Sequence, residues 1–198
     1  MFCVESLKMC KILWTQINEQ IYAKFYNYLT YVDPMQIVIC FIIVMFFISR
    51  IEKKYERTKI KMVIWCVLCS VWFTVAFEIT LLGRQNNVVN TWESVFSSFS
   101  ELVSGNYTII YDMMFNGILF IPLGFLMKIK YSAKYSVAIS GGVSLFIEGM
   151  QLITHKGLFE ISDLIFNTSG GVIGIACMAF VQKFLKIFSQ KYKIYRNS

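Results

Sequence analysis

The stretch that decides the fold is IIYDMMFNGILFIPLGFLM (Ile109–Met127), then KIKYSAK (Lys128–Lys134), then YSVAISGGVSLFIEGMQLIT (Tyr135–Thr154). A bilayer core about 30 Å thick is crossed by a helix of about 20 apolar residues, and the two outer runs have that length. A lone strand could not satisfy its backbone in hydrocarbon, so both runs read as membrane-spanning helices joined by a short basic link.

Three further apolar segments lie on either side: Pro34–Ser49, about Lys61 to Leu82, and about Asp163 to Phe184. The composition agrees, with 57% hydrophobic and only 16% charged residues, where soluble domains carry about a quarter charged. The expected fold is all-α: a polytopic membrane helix bundle of about five transmembrane helices. Residues 34–189 would form the bundle, 1–33 an amphipathic segment on the outer face, and 190–198 a basic cytoplasmic tail.

A net charge of +7 reports topology here and does not point to nucleic acid. Arg50, Lys53, Lys54, Arg57, Lys59 and Lys61 follow the first segment; Lys128, Lys130 and Lys134 link the third and fourth; Lys183, Lys186, Lys191, Lys193 and Arg196 end the chain. These 14 residues fall on one side of the membrane, against Lys8, Lys11, Lys24, Arg84 and Lys156 on the other. The positive-inside rule then predicts a multi-pass plasma-membrane protein with its N-terminus outside and its C-terminus cytoplasmic.

The first 30 residues show no cleavable signal pattern. Leu7, Trp14, Ile17, Ile21, Phe25 and Tyr28 recur near a helical repeat with charges between them, which fits an interfacial helix; a poorly ordered terminus is the alternative. In the long outer connection, Asn90 and Glu93 have capping-box spacing, and Val95, Phe96, Phe99, Leu102 and Val103 mark one face of a short helix. That helix reads either as a lid over a site or as a cover for apolar helix ends. Cys66 and Cys69 form a CxxC inside an apolar run without a histidine nearby, so they read as packing residues, and no metal or cofactor is expected.

Polar residues inside the apolar runs are where a function is expected, because a charge at the bilayer centre costs about 2.5–3.5 kcal/mol on insertion scales. Ser144, Glu148 and Gln151 are spaced four and three apart and share one helix face. Glu148 lies six residues before Thr154, about 9 Å from the outer end at 1.5 Å per residue. Asn116 reaches a similar depth on the preceding helix, where Pro122 should bend the backbone and Gly124 admit a close neighbour. Ser162 or Asp163 would cap the last helix, and Asn167 follows one turn later. Gly170 and Gly174, with Gly171 beside them, form a GxxxG that predicts tight helix packing. Arg84 closes TLLGR and offers a cation; Glu78 lies two turns deeper. The candidate binding cluster is thus Arg84, Asn116, Glu148, Gln151, Asp163 and Asn167, with interhelical hydrogen bonding the competing explanation for the amides.

FNGILFIPLGF (Phe115–Phe125), IEGMQ (Ile147–Gln151) and EISDLIFNTSGGVIG (Glu160–Gly174), preceded by TLLGR (Thr80–Arg84), resemble the signatures of the VanZ-like proteins. These are small bacterial membrane proteins named for teicoplanin resistance. The resemblance runs from about Thr80 to Phe180. Many members carry an arginine shortly before the last motif, where this chain has His155-Lys156-Gly157. The resemblance implies a Gram-positive plasma membrane and a link to glycopeptide or lipoglycopeptide resistance, without implying a mechanism.

Four functions fit these readings, one of them a purely structural partner of a larger complex. The first is a non-enzymatic factor that binds a lipid-linked antibiotic or cell-wall precursor in an outer-leaflet pocket, with membrane lipid as its other partner. The second is a membrane enzyme on a lipid-linked substrate, with Glu148 or Asp163 as acid or base and Arg84 on phosphate. Against it stand the lack of a nucleophile paired with a base and the single histidine. The third is a flippase or transporter, for which an oligomer would supply the symmetry that five helices lack.

Overall fold

The structure is a computed structural model that describes residues 59–82, 94–105 and 109–197, together with positions 15, 19, 35, 37–39, 41–43, 45 and 46. From residue 59 on, the described residues form α1 (Lys59–Phe77), α2 (Ser97–Val103), α3 (Ile109–Lys130), α4 (Ala133–Thr154) and α5 (Ile161–Asn197). A π-helical turn, Glu78–Leu82, ends α1, and a 3₁₀ turn, Ser94–Phe96, leads into α2. No strand occurs among the described residues. Among the described residues, four helices are long and apolar enough to cross a membrane: Ile60–Leu82, Ile109–Lys130, Ala133–Thr154 and Ile161–Ser189. The chain is therefore an all-α, multi-pass membrane bundle. Within the first apolar segment the described positions are helical; the rest of it, and nearly all of the amphipathic N-terminal segment, lie outside the described residues.

Contacts between the helices fix their directions. Trp72 Nε1 donates to the carbonyl of Leu119 at 2.7 Å and Trp65 Nε1 to that of Leu126 at 2.8 Å, so α1 and α3 are antiparallel. Pro122 sits inside an otherwise continuous α3. The Trp72 indole reaches a carbonyl one residue from the one that Pro122 leaves without its helical donor. Trp72 also meets Phe120 edge-on, ring centroids 5.5 Å apart, an arrangement that suits two ring quadrupoles. Both belong to the core, with Cys69, Ala76, Leu123, Leu126, Met127 and Ile147. Cys66 and Cys69 are buried free thiols, as packing residues should be.

Glycine lets α3 and α5 run parallel with their backbones touching. A Cβ on Gly170 would strike the carbonyl of Gly117, one on Gly174 the carbonyl of Ile121, and one on Gly124 the carbonyl of Gly171. Between them α4 runs the other way and presents Ser136, Ser140 and Ser144, all fully buried. Ser136 and Ser140 satisfy their hydroxyls on the carbonyls four residues earlier, each at 3.0 Å, which leaves a smooth face for α5. The GxxxG expectation thus holds, with α3 and α4 both as partners.

The bundle has two unlike ends. Lys61, Lys128, Lys130, Lys134, Lys183 and Lys186 gather at one, where Gln182 Nε2 donates to the carbonyl of Lys128 at 3.3 Å. There the Lys130 ammonium stands 4.8 Å from the Trp65 ring centre, a cation–π contact. The helix α5 continues through the expected tail to Asn197; its 37 residues span about 55 Å at 1.5 Å each. The opposite end holds the polar residues.

Candidate functional site

The α4 stripe forms as its spacing predicts. Ser144, Glu148 and Gln151 share one face and are all buried, Glu148 to 1% exposure. Glu148 does not stand alone in apolar surroundings: its Oε2 accepts the backbone N–H of Glu160 at 3.2 Å, across the turn that joins α4 to α5.

Glu160 is the residue that the sequence reading missed. α5 begins at Ile161, and the Glu160 carbonyl accepts the first helical bond, from the Leu164 N–H at 3.4 Å. Glu160 therefore occupies the N-cap position expected for Ser162 or Asp163. Asp163 stands inside the first turn, where a carboxylate favours the helix dipole. The Glu160 side chain collects three hydroxyls: Ser97 donates to Oε1 at 2.8 Å, Ser162 to Oε2 at 3.0 Å, and Ser98 also to Oε2. Ser98 and Ser162 are nearly inaccessible. The helix α2 is thereby tied to the loop that Glu148 holds.

Its orientation corrects the expected apolar face. Val95 and Leu102 are half-buried, but Phe96, Phe99 and Val103 point outward, and Ser98 is the residue that α2 buries. The expected capping box at Asn90 and Glu93 lies outside the described residues.

Two amides complete the site. Gln151 Nε2 donates to the Thr80 carbonyl at 3.1 Å, inside the π-helical turn, a local widening often found where function is. Thr80 can only accept at that atom, so the amide nitrogen faces it and Oε1 points elsewhere. Asn167 Nδ2 donates to the Ser144 hydroxyl at 3.0 Å, joining α5 to α4. Gln151 Oε1 and Asn167 Oδ1 are buried and have no hydrogen-bond partner among the described residues. Glu78 is buried in the same π-helical turn as Thr80.

The structure thus brings together Glu148, Gln151 and Asn167 from the expected cluster and adds Glu160, Ser97, Ser98, Ser162 and Thr80. Asn116 is half-buried on α3 and takes no part in these bonds. Arg84 lies outside the described residues. Among the described residues, no group of three His, Cys, Asp or Glu side chains is placed to hold a metal ion. A groove of about 580 Å³ runs along α5 past Leu164, Thr168 and Val172, and none of the network lines it.

The family model VanZ/LLP1 matches residues 35–182, so the likeness begins well before the motif at Thr80. No curated protein and no solved structure shows a significant match.

Proposed function

From the premise that the chain belongs to the VanZ/LLP1 family, we propose that it is a membrane factor linked to glycopeptide resistance, acting through the polar end of its bundle. The positive-inside rule assigns the lysine-rich end to the cytoplasm, and the polar network then meets the outer leaflet, where teicoplanin and lipid-linked cell-wall precursors are found. The protein binds such an amphipathic, lipid-linked molecule and lowers the antibiotic's access to its target.

The observation that carries this reading is Glu148, a carboxylate held within a membrane helix by a backbone N–H. A carboxyl group is costly inside a membrane helix, and a glutamine would serve the Glu160 N–H as well, so the bond alone does not call for an acid. Gln151 Oε1 one turn above and Asn167 Oδ1 one turn below are spare acceptors, which suits a ligand that donates hydrogen bonds. Teicoplanin protection in cells that express Glu148→Gln tests the proposal. Protection falls while abundance holds; full protection by an abundant variant overturns it.

One observation favours a second reading. The Ser98 hydroxyl donates to the Glu160 carboxylate one hydrogen bond away from Glu148, a hydroxyl beside a base of the kind acyl- or phosphoryl-transfer chemistry uses. Turnover of a lipid-linked cell-envelope substrate by purified protein, abolished by Ser98→Ala, would establish the enzyme instead.

A further inference from the structure

The helix α2 is amphipathic the wrong way round for a soluble cover. At 3.6 residues per turn, Phe96, Phe99 and Val103 share one side, and Ser98 and Leu102 share the other. The apolar side is the exposed one, with Phe96 at 54% and Val103 at 89%, whereas Ser98 is 2% exposed. The serines are turned inward because Glu160 holds them there. Five positions separate Val103 from Ile109, the start of α3, a membrane-spanning helix whose Met114, Phe115 and Ile118 also point away from the protein. Helix α2 packs against α3, so its exposed apolar side adjoins a membrane-spanning helix that also exposes apolar side chains at the polar end of the bundle.

We propose that α2 is seated in the membrane interface, with Phe96, Phe99 and Val103 among lipid and with Ser97 and Ser98 latched to Glu160 beneath. Lipid is the occupant that this continuity selects: an apolar side with a polar side fixed to protein is the pattern of an interfacial helix. The latch has a consequence for the site. Glu160 is a positioning residue: its side chain holds α2 and its backbone N–H holds Glu148, so movement of α2 out of the interface pulls on the segment that Glu148 anchors. Lipid contact at α2 and the state of Glu148 are coupled through one residue.

The test uses the full chain in lipid nanodiscs. Its six cysteines are replaced, a spin label is placed at Phe99→Cys or Val103→Cys, and collisions with oxygen, enriched in lipid, are compared with those of a water-soluble nickel chelate. The proposal predicts oxygen dominance at both positions and chelate dominance at Glu101→Cys, on a different side of α2. Chelate dominance at 99 and 103 overturns it, as does protection from both reagents, which would mean that the N-terminal segment, a second copy or another protein covers the face. Adding Glu160→Ala should then sharpen the label's spectrum as α2 comes loose; an unchanged spectrum refutes the latch. If the cysteine-free chain does not fold, hydrogen exchange of residues 97–103 in the native-cysteine protein replaces it. There, Val103→Asp and the pair Ser97→Ala with Ser98→Ala should each lose the protection seen in the parent, and retained protection in both refutes the proposal.

Discussion

The Glu148 carboxylate and the backbone N–H of Glu160 meet at 3.2 Å, so a side chain within one membrane helix completes the start of the next. In a capping box the acidic side chain that reaches back to the N-cap N–H comes from the third residue of the same helix. Asp163 holds that position here, yet Glu148 of α4 makes the bond. The turn between α4 and α5 is thereby closed on the site rather than on itself, and the loop's geometry and the state of Glu148 are one question.

That bond separates structure from function at Glu148. Glu148→Gln keeps an oxygen for the Glu160 N–H, and its unfolding midpoint in detergent should stay close to the parent's. Glu148→Leu strands the N–H and should cost about 1–3 kcal/mol, the typical penalty for an unmade buried bond. Equal stability of the Leu variant would show that the bond does not matter.

At Gln151, the Thr80 carbonyl needs a donor. Gln151→Glu removes the donor and places a carboxylate against a carbonyl oxygen, so it should destabilise more than Gln151→Leu, which removes the donor and the spare acceptor together. Thermal unfolding in detergent ranks the two, and hydrogen exchange across residues 78–82 should rise in both.

The Asn167 and Ser144 bond crosses two membrane helices, and such bonds measure about 0.6 kcal/mol on average, with a maximum near 1.7. A double-mutant cycle with Asn167→Ala and Ser144→Ala should return a coupling in that range. Zero coupling would show that the bond is not formed in the folded protein.

The helix contacts yield a matched pair. Gly124→Ala forces a methyl into the carbonyl of Gly171, and overpacking of this sort costs about 1–3 kcal/mol. Gly142 has nothing within 4 Å of the added Cβ, so Gly142→Ala should gain up to about 1 kcal/mol from helix propensity alone. Opposite shifts of the unfolding midpoint are expected, and a parallel shift would contradict the packing.

His155 ends α4 with φ 55°, a left-handed conformation that costs a residue with a Cβ about 1 kcal/mol. His155→Gly should raise the unfolding midpoint modestly, because glycine adopts this geometry freely.

The bundle was legible because lipid leaves few choices: the hydropathy of α1, α3, α4 and α5, their polar stripe and their glycines follow from spacing alone. The centre of the site was less so. Glu160 stands outside every helix, and its role depends on where α5 begins. Reading Ser162 or Asp163 as the cap put the boundary two or three residues late and hid it. The facing of α2 was misread for a similar reason: apolar spacing identifies a face but not which side the protein takes. The hydroxyls of Ser97 and Ser98 both bond the half-buried Glu160 carboxylate and turn that side of α2 inward, a contact across more than 60 residues that apolar spacing does not show.

The central claim is that the Glu148 site binds a lipid-linked cell-envelope molecule. Its most direct test is the affinity of the full chain in nanodiscs for a purified lipid-linked cell-wall precursor and for a lipoglycopeptide, set against Glu148→Gln of matched stability. Saturable binding of at least one ligand by the parent, weakened in the variant, is the result the account predicts. Equal binding by parent and variant, or none by either, would contradict it.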